Sequence, residues 1–218
     1  MNSFIQYMIK KKINILYKII LSVIGSFVVI SGFFPNNFKF DIEAVYYFTY
    51  QSNMLVIVYF ILDIINIIKK DKSLYPRFKG AVTMSITVTF LVYHFLLSPT
   101  AEKYEGLPYI RNIILHYILP IMTILDYIIF DIKGIYKIID PLLWLLIPII
   151  YFIFILIRAR LGEPFSNGSY YPYFFTDIDK YGLKIVLRNV LFITLFFAFL
   201  GYIEYFTDRF LNILQNKK

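Results

Sequence analysis

Six stretches of mainly apolar residues, each about as long as a membrane is thick, constrain this chain more than any other feature. They run over approximately residues 13–34, 44–68, 80–98, 110–130, 141–157 and 183–206. Each is close to the ~20 residues that a helix needs to cross ~30 Å of hydrocarbon. Lipid offers the backbone no hydrogen bonds, so spanning segments of this kind are expected to be helical. We predict an all-α polytopic integral membrane protein: a bundle of six transmembrane helices that forms one domain over residues 1–218.

The composition excludes several kinds of site. The chain has no cysteine, which rules out disulfides, zinc thiolates and thiol catalysis. It has two histidines, His94 and His116, too few for a His-rich metal site, and we predict no metal and no cofactor. The net charge of +8 would suggest nucleic acid for a soluble domain. Here the cations flank apolar stretches, so we expect membrane lipids rather than nucleic acid as partners.

The distribution of the cations predicts the topology. If the N-terminus is inside, 14 of the 22 Lys and Arg residues fall in cytoplasmic segments. An excess of cations marks the cytoplasmic side of a membrane protein. We therefore expect both termini in the cytoplasm and a multi-pass location in a cell membrane, most simply a bacterial plasma membrane. Arg158 and Arg160 lie on the opposite side and oppose this bias.

Polar residues follow one face of the second stretch. With Thr49 at 0° on a helix, Asn53 lies at about +40°, Ser52 at about −60° and Asp63 at about −40°. Gln51 points nearly the opposite way. Polar side chains in a membrane helix usually face the bundle interior, because lipid cannot satisfy them. This face is therefore predicted to point inward.

The fourth stretch carries a similar stripe. With Asn112 at 0°, His116 lies at about +40°, Thr123 at about +20° and Asp126 at about −40°. Thr49 and His116 lie ~8–9 Å below the same predicted edge of the membrane. His94 ends the third stretch on that side. Four residues are thus predicted to meet in one pocket of the outer leaflet, namely Thr49, Asn53, His94 and His116.

Each of these residues also has a purely structural interpretation. A Thr in a membrane helix often bonds to a carbonyl one turn earlier, and His116 would be well suited to tying helices together. Asp63 lies near the cytoplasmic interface, where water would solvate it, and Asp126 would either pair with a cation or stay neutral. Both interpretations stay open for each residue at this point.

The longest loop, approximately residues 158–182, is rich in aromatic side chains. Aromatic rings are common where a chain lies in the membrane interface, because the ring is buried and its polar tip stays wet. The loop is therefore expected to act either as an interfacial anchor or as a lid over an outer cavity.

Three stretches together resemble a known family. "YYFTYQSNMLV" (46–56), "LHYILPIMTILDYIIFD" (115–131) and "YYPYFFTDID" (170–179) are similar to the bacterial six-span membrane proteins called Pr-six-Pr. That group resembles the eukaryotic androgen-induced gene one and androgen-dependent TFPI-regulating proteins. Those proteins hydrolyse fatty acid esters of hydroxy fatty acids with an intramembrane Thr nucleophile and a His. The resemblance implies that Thr49 and His116 are the catalytic pair and that a lipid-like ester is the substrate.

This chemistry also needs donors for an oxyanion. A neutral His can take the proton of a weak nucleophile such as a Thr hydroxyl. By position, Asn53, His94, Arg111 and Asn112 are the candidates for binding the substrate or its oxyanion. Asp126 lies about 15 Å along the helix from His116, so it is too far away to orient the imidazole. The sequence thus favours an intramembrane threonine hydrolase, with a proton-coupled carrier using Asp63, Asp126 and His116, or a non-catalytic scaffold, as alternatives.

Overall fold

All six predicted spans form helices. A computed structural model describes residues 3–35, 39–100 and 104–216 of the protein, so three residues of the charge count, Lys103, Lys217 and Lys218, lie outside it. Six helices of the described chain are long and apolar enough to cross a membrane, and they span Phe4–Phe33, Phe48–Lys70, Pro76–Leu97, Gly106–Phe130, Asp140–Leu161 and Leu183–Asn216. We call them the first to the sixth span. The described residues contain no β-strand, and the prediction of an all-α, six-helix membrane protein is confirmed.

The ends of several helices differ from the predicted ends, because a helix does not have to begin and end where its apolar stretch does. The first and sixth helices extend by about nine or ten residues beyond the apolar stretches, since charged residues such as Lys11 can continue a helix outside the hydrocarbon. The second span begins later than expected. Tyr47 is extended (ψ 131°) and separates a short helix, Ile42–Tyr46, from the span. This break places Thr49 in the first turn of a 23-residue helix.

The third span is the most buried of the six and lies at the centre of the bundle. It packs against the second, fourth, fifth and sixth spans. Small side chains line much of it, which lets neighbouring helices approach closely. At Gly80 a Cβ atom would collide with the indole of Trp144 in the fifth span. Glycine is required there because the ring occupies that space.

Two spans contain one turn of π-helix each, at Tyr93–Leu97 and Ile114–Ile118. In each turn the closing N–H bonds five residues back, from Ser98 to Tyr93 and from Leu119 to Ile114. Each is followed closely by a proline, which has no N–H to donate. Such π turns are common at functional sites because they redirect side chains. Here the two turns face each other, and His116 lies in the second.

At the opposite end of the bundle, five charged residues form a buried network. Lys18 Nζ lies 2.8 Å from Asp63 Oδ2 and 3.7 Å from Asp126 Oδ1. Lys79 forms ion pairs with Asp126 and, at 3.0 Å, with Asp131. Four of the five side chains are at most 1% exposed. The network joins the first four spans, because each of them contributes one charged residue to it.

This network corrects part of the sequence interpretation. Asp63 is not solvated at an interface, since it is fully buried and paired with Lys18. Asp126 pairs with cations, which was one of its two predicted alternatives. Lys18 and Lys79, which the charge count assigns to cytoplasmic segments, are buried in ion pairs and do not mark a loop. Burial also raises the pKa of the Asp131 carboxyl, and the nearby Lys79 opposes that shift.

Candidate active site

The structure brings Thr49 and His116 together. Thr49 Oγ1 lies 3.2 Å from His116 Nε2, although 67 residues separate them in the chain. Thr49 is 8% exposed and begins the second span, while His116 lies in the π turn of the fourth. Since the helix starts at Phe48, Thr49 has no preceding turn of this span to bond to. Its hydroxyl is instead directed at an imidazole.

A hydrogen bond at the other ring nitrogen determines the tautomer of His116. Nδ1 lies 3.0 Å from the carbonyl oxygen of Asn112, one turn earlier on the same span. A carbonyl can only accept, so Nδ1 carries the proton and donates it. In a neutral imidazole Nε2 then has a free lone pair, and that lone pair faces the Thr49 hydroxyl. This is the arrangement that a general base requires.

The imidazole is also held by an aromatic neighbour. The ring of Tyr93 stacks on His116 with 3.7 Å between centroids and 16° between planes. Asn112 Nδ2 donates to the Tyr93 hydroxyl at 2.5 Å. Tyr93 belongs to the π turn of the third span and His116 to that of the fourth, so the two π turns meet at this stacked pair. The sequence pattern had not indicated Tyr93, because a tyrosine in a span is usually a packing residue.

Asn53 does not serve as the predicted oxyanion donor. Its Nδ2 donates to the carbonyls of Thr49 (2.7 Å) and Leu115 (3.2 Å), which uses both of its N–H groups. The Leu115 carbonyl needs this partner because Pro120, five residues on, has no N–H to offer the π turn. Asn53 therefore joins the second and fourth spans behind the site.

His94 lies outside the predicted pocket. It is exposed, and its Nδ1 lies 3.2 Å from the Tyr117 hydroxyl. On this helix Tyr93 is the residue that faces the site, so its neighbour is turned away by roughly a quarter turn. The prediction that His94 joins Thr49 and His116 is wrong for this reason.

The two remaining candidates lie at the site, with part of their hydrogen bonding already used. Arg111 Nη1 donates to the Ser31 carbonyl at 2.8 Å, and Asn112 bonds to Tyr93 and positions His116. Both side chains line a cavity that also has Thr49 and His116 in its walls. Arg111 therefore stays a candidate for binding a substrate, whereas Asn112 contributes by positioning the base.

The aromatic loop folds over this end of the bundle. Tyr173 is 9% exposed, and its hydroxyl oxygen accepts the backbone N–H of Thr49 at 3.4 Å. Ser166 fastens the loop by donating from its N–H and its hydroxyl to the Glu43 carboxylate, at 2.7 and 3.0 Å. Burial raises the pKa of the Tyr173 phenol, which therefore keeps its proton at neutral pH. Of the two interpretations of the loop, the structure supports the lid.

Two cavities meet at Thr49. The first, about 160 Å³, is apolar and lies between the third, fifth and sixth spans. Its walls include Val88, Val92, Pro148, Phe152, Ile193 and Phe197. The second, about 520 Å³, has mixed polar and apolar walls that include Tyr93, Tyr104, Arg111, Asn112, His116 and Asn167. We call it the polar cavity, because the first has almost no polar surface. Thr49, Leu97 and Tyr173 line both cavities, so Thr49 lies between the apolar and the polar cavity.

Comparison with known proteins adds no identification to this geometry. No family model matches the chain, and no curated protein and no solved structure shows significant similarity to it. The resemblance to the six-span family therefore stays a prediction, and the functional assignment depends on the site itself.

Proposed function

We propose that this multi-pass membrane protein hydrolyses esters of amphiphilic, lipid-like molecules, with Thr49 as nucleophile and His116 as general base. The observation that supports this most directly is the Thr49 Oγ1–His116 Nε2 contact, with the opposite ring nitrogen bonded to a carbonyl. The carbonyl of Asn112 takes the orienting role that a carboxylate has in many hydrolases.

The reaction follows the usual course of covalent acyl transfer. His116 Nε2 takes the hydroxyl proton while Thr49 Oγ1 attacks the acyl carbon of the ester. The bond from the acyl carbon to the alkoxy oxygen then breaks, and the imidazolium returns the proton to the leaving alcohol. In the second half, His116 deprotonates a water molecule that hydrolyses the acyl-threonine. The products are an alcohol and a carboxylic acid, and the enzyme is regenerated.

The paired cavities support an amphiphilic substrate. Binding sites for small molecules are mostly apolar, with a few polar groups that fix the orientation. Here the apolar cavity suits an acyl chain and the polar cavity suits the remainder of the ester. Thr49 lies where the two parts of such a molecule would join.

The carrier alternative loses support from the ion-pair network. It depends on Asp63 and Asp126 as exchangeable proton sites in the membrane. Both carboxylates are instead paired with buried ammonium groups. Each carboxylate therefore already has a structural role, since these ion pairs join the first four spans.

A fluorophosphonate probe tests the proposed nucleophile. In the labelling reaction Thr49 Oγ1 attacks phosphorus, a P–O bond forms, the P–F bond breaks and His116 takes the threonine proton. We expect mass spectrometry of the purified, detergent-solubilised protein to show one adduct, on Thr49. In His116→Gln the adduct should be absent, because glutamine cannot accept the proton. An unlabelled wild-type protein, or equal labelling of the His116→Gln protein, would contradict the proposal, provided that circular dichroism shows an intact helical fold.

Filling the apolar cavity should change the preference for acyl chain length. Thr194 lines this cavity, and Thr194→Phe would occupy part of it. We expect kcat/KM for p-nitrophenyl dodecanoate to fall at least about tenfold relative to the acetate, since each methylene lost from a hydrophobic pocket costs about 1–3 kcal/mol. The matched control is Leu195→Phe on the adjacent, 57% exposed position. An equal response of both esters in Thr194→Phe would place the acyl chain elsewhere.

A further inference from the structure

Tyr173 occupies a rigid position beside the proposed nucleophile. Its ring stacks on Phe175, with 5.3 Å between centroids and 3° between planes. The edge of a second ring, from Tyr47, packs against it at 5.7 Å and 85°. Both contacts fix the ring plane, and therefore the location of the phenol oxygen, which lies 3.4 Å from the backbone nitrogen of Thr49.

The backbone N–H of Thr49 leaves the Tyr173 hydroxyl able to donate. In this bond the phenol oxygen is the acceptor, so the bond does not use the hydroxyl hydrogen. The hydroxyls of Thr49 and Tyr151 also lie within hydrogen-bonding reach of the phenol, so its hydrogen can point toward the nucleophile. The bond also lies at the start of a 23-residue helix, where unpaired N–H groups and the helix dipole create positive potential. A hydroxyl that accepts a hydrogen bond in this field becomes a stronger donor, because hydrogen bonds in a chain polarise one another.

The amide side chains near Thr49 donate to other partners. Asn53 uses both N–H groups on carbonyls, and Asn112 Nδ2 donates to Tyr93. Tyr173, by contrast, lines both cavities at the point where they meet Thr49. An ester carbonyl attacked by Thr49 must lie at this junction, so its oxygen would come within reach of the Tyr173 hydroxyl.

We propose that Tyr173 is a catalytic residue that donates a hydrogen bond to the oxyanion formed when Thr49 attacks an ester. This inference rests on the proposed hydrolase function and names the group that stabilises its transition state. The phenol O–H donates a hydrogen bond to the negative charge that develops on the former carbonyl oxygen. The positive end of the helix dipole of the second span strengthens this bond, because the phenol oxygen accepts the Thr49 N–H at that end. The loop is thereby part of the active site and not only its cover.

Tyr173→Phe removes the hydroxyl and keeps the stacked ring. We expect kcat for ester hydrolysis to fall about 10²-fold with little change in KM, which is the usual effect of removing one oxyanion donor. Dodecylboronic acid, which would add Thr49 Oγ1 to boron and form a tetrahedral boronate, should bind about 10²-fold more weakly to Tyr173→Phe. A purely structural role would not weaken the binding of this analogue selectively.

Tyr171→Phe is the matched control. Tyr171 belongs to the same loop and is also buried, at 3% exposure, but it lines neither cavity. Its variant should hydrolyse the ester and bind the boronate as the wild-type protein does. If Tyr173→Phe fails to fold, 3-fluorotyrosine at this position keeps the shape and makes the phenol more acidic, and the rate should then change.

The outcomes separate the two proposals. Unchanged kcat and boronate affinity in Tyr173→Phe, with hydrolysis still dependent on Thr49, would overturn the role of Tyr173 and leave the hydrolase intact. An unchanged rate with 3-fluorotyrosine would overturn it as well. A wild-type protein without hydrolysis dependent on Thr49 would overturn the proposed function, and the oxyanion role with it.

Discussion

Replacing Thr49 with valine should lower the rate of ester hydrolysis by at least about 10³-fold, as expected when the nucleophile of an acyl-transfer site is removed. Valine has nearly the same shape but no hydroxyl, so His116 has no proton to take and no covalent intermediate can form. Thr49 is mostly buried, and its Oγ1 lies 3.2 Å from His116 Nε2. The measurement is kcat/KM for p-nitrophenyl dodecanoate in detergent.

Thr49→Ser is the informative companion variant. Serine keeps a hydroxyl at the same place, so hydrolysis and fluorophosphonate labelling should persist, with the adduct now on the serine. Ser52→Ala controls for the loss of a hydroxyl nearby, since Ser52 bonds to Thr89 at 2.7 Å and lines neither cavity. Wild-type activity in Thr49→Val would show that this threonine is not the nucleophile and would remove the basis of the proposed function.

The architecture of the bundle was predictable because apolarity is a local property of the sequence. A run of about 20 apolar residues has few options other than a spanning helix. The pairing of Thr49 with His116 was also accessible, since both lie on polar faces at similar depth of helices that run in the same direction. Helical periodicity and depth are sufficient for that step.

Contacts that depend on the packing of loops and on irregular turns were not predictable. Tyr173 reaches Thr49 from a loop 124 residues later, and no periodicity connects the two. The π turn at Tyr93–Leu97 directs Tyr93 to the site and His94 away from it, a distinction that an ideal helix does not reveal. The role of Asn53 was not predictable either. The Leu115 carbonyl that it binds lacks a backbone partner only because the π turn is followed by Pro120.

Lys18 and Lys79 were missed for a related reason. Charge patterning assigns a lysine near the end of an apolar stretch to a loop, where it sets the topology. Whether it instead pairs with an aspartate depends on which helices are neighbours, and the sequence alone does not order the helices of a bundle. The aspartate partners of these two lysines come from the second span, from the fourth span and from the residue that follows the fourth, Asp131.

Removing one cation from this network should strongly destabilise the fold. Lys79→Met leaves Asp126 and Asp131 buried without their nearest cation, and breaking a buried pair from one side costs about 3–5 kcal/mol. The free energy of unfolding can be followed in mixed micelles by the fluorescence of Trp144, the only tryptophan, which packs against Gly80 next to Lys79. The variant should unfold at a much lower fraction of denaturing detergent than the wild-type protein.

Two further variants test whether the loss of buried ion pairs causes the destabilisation expected for Lys79→Met. Lys11→Met breaks the ion pair between Lys11 and Asp71, whose side chains are 22% and 54% exposed, respectively. This variant should leave the unfolding midpoint nearly unchanged, because solvent screens exposed ion pairs.

The double variant Lys79→Met, Asp126→Asn should lose less stability than the sum of the losses in the two single variants, since removing both partners leaves fewer unpaired charges. Additive losses, or equal effects of Lys11→Met and Lys79→Met, would show that these charges do not stabilise one another. Because the network lies at the other end of the bundle from Thr49, labelling of the folded fraction at Thr49 should persist, which separates the role of the network in stability from the chemistry of the site.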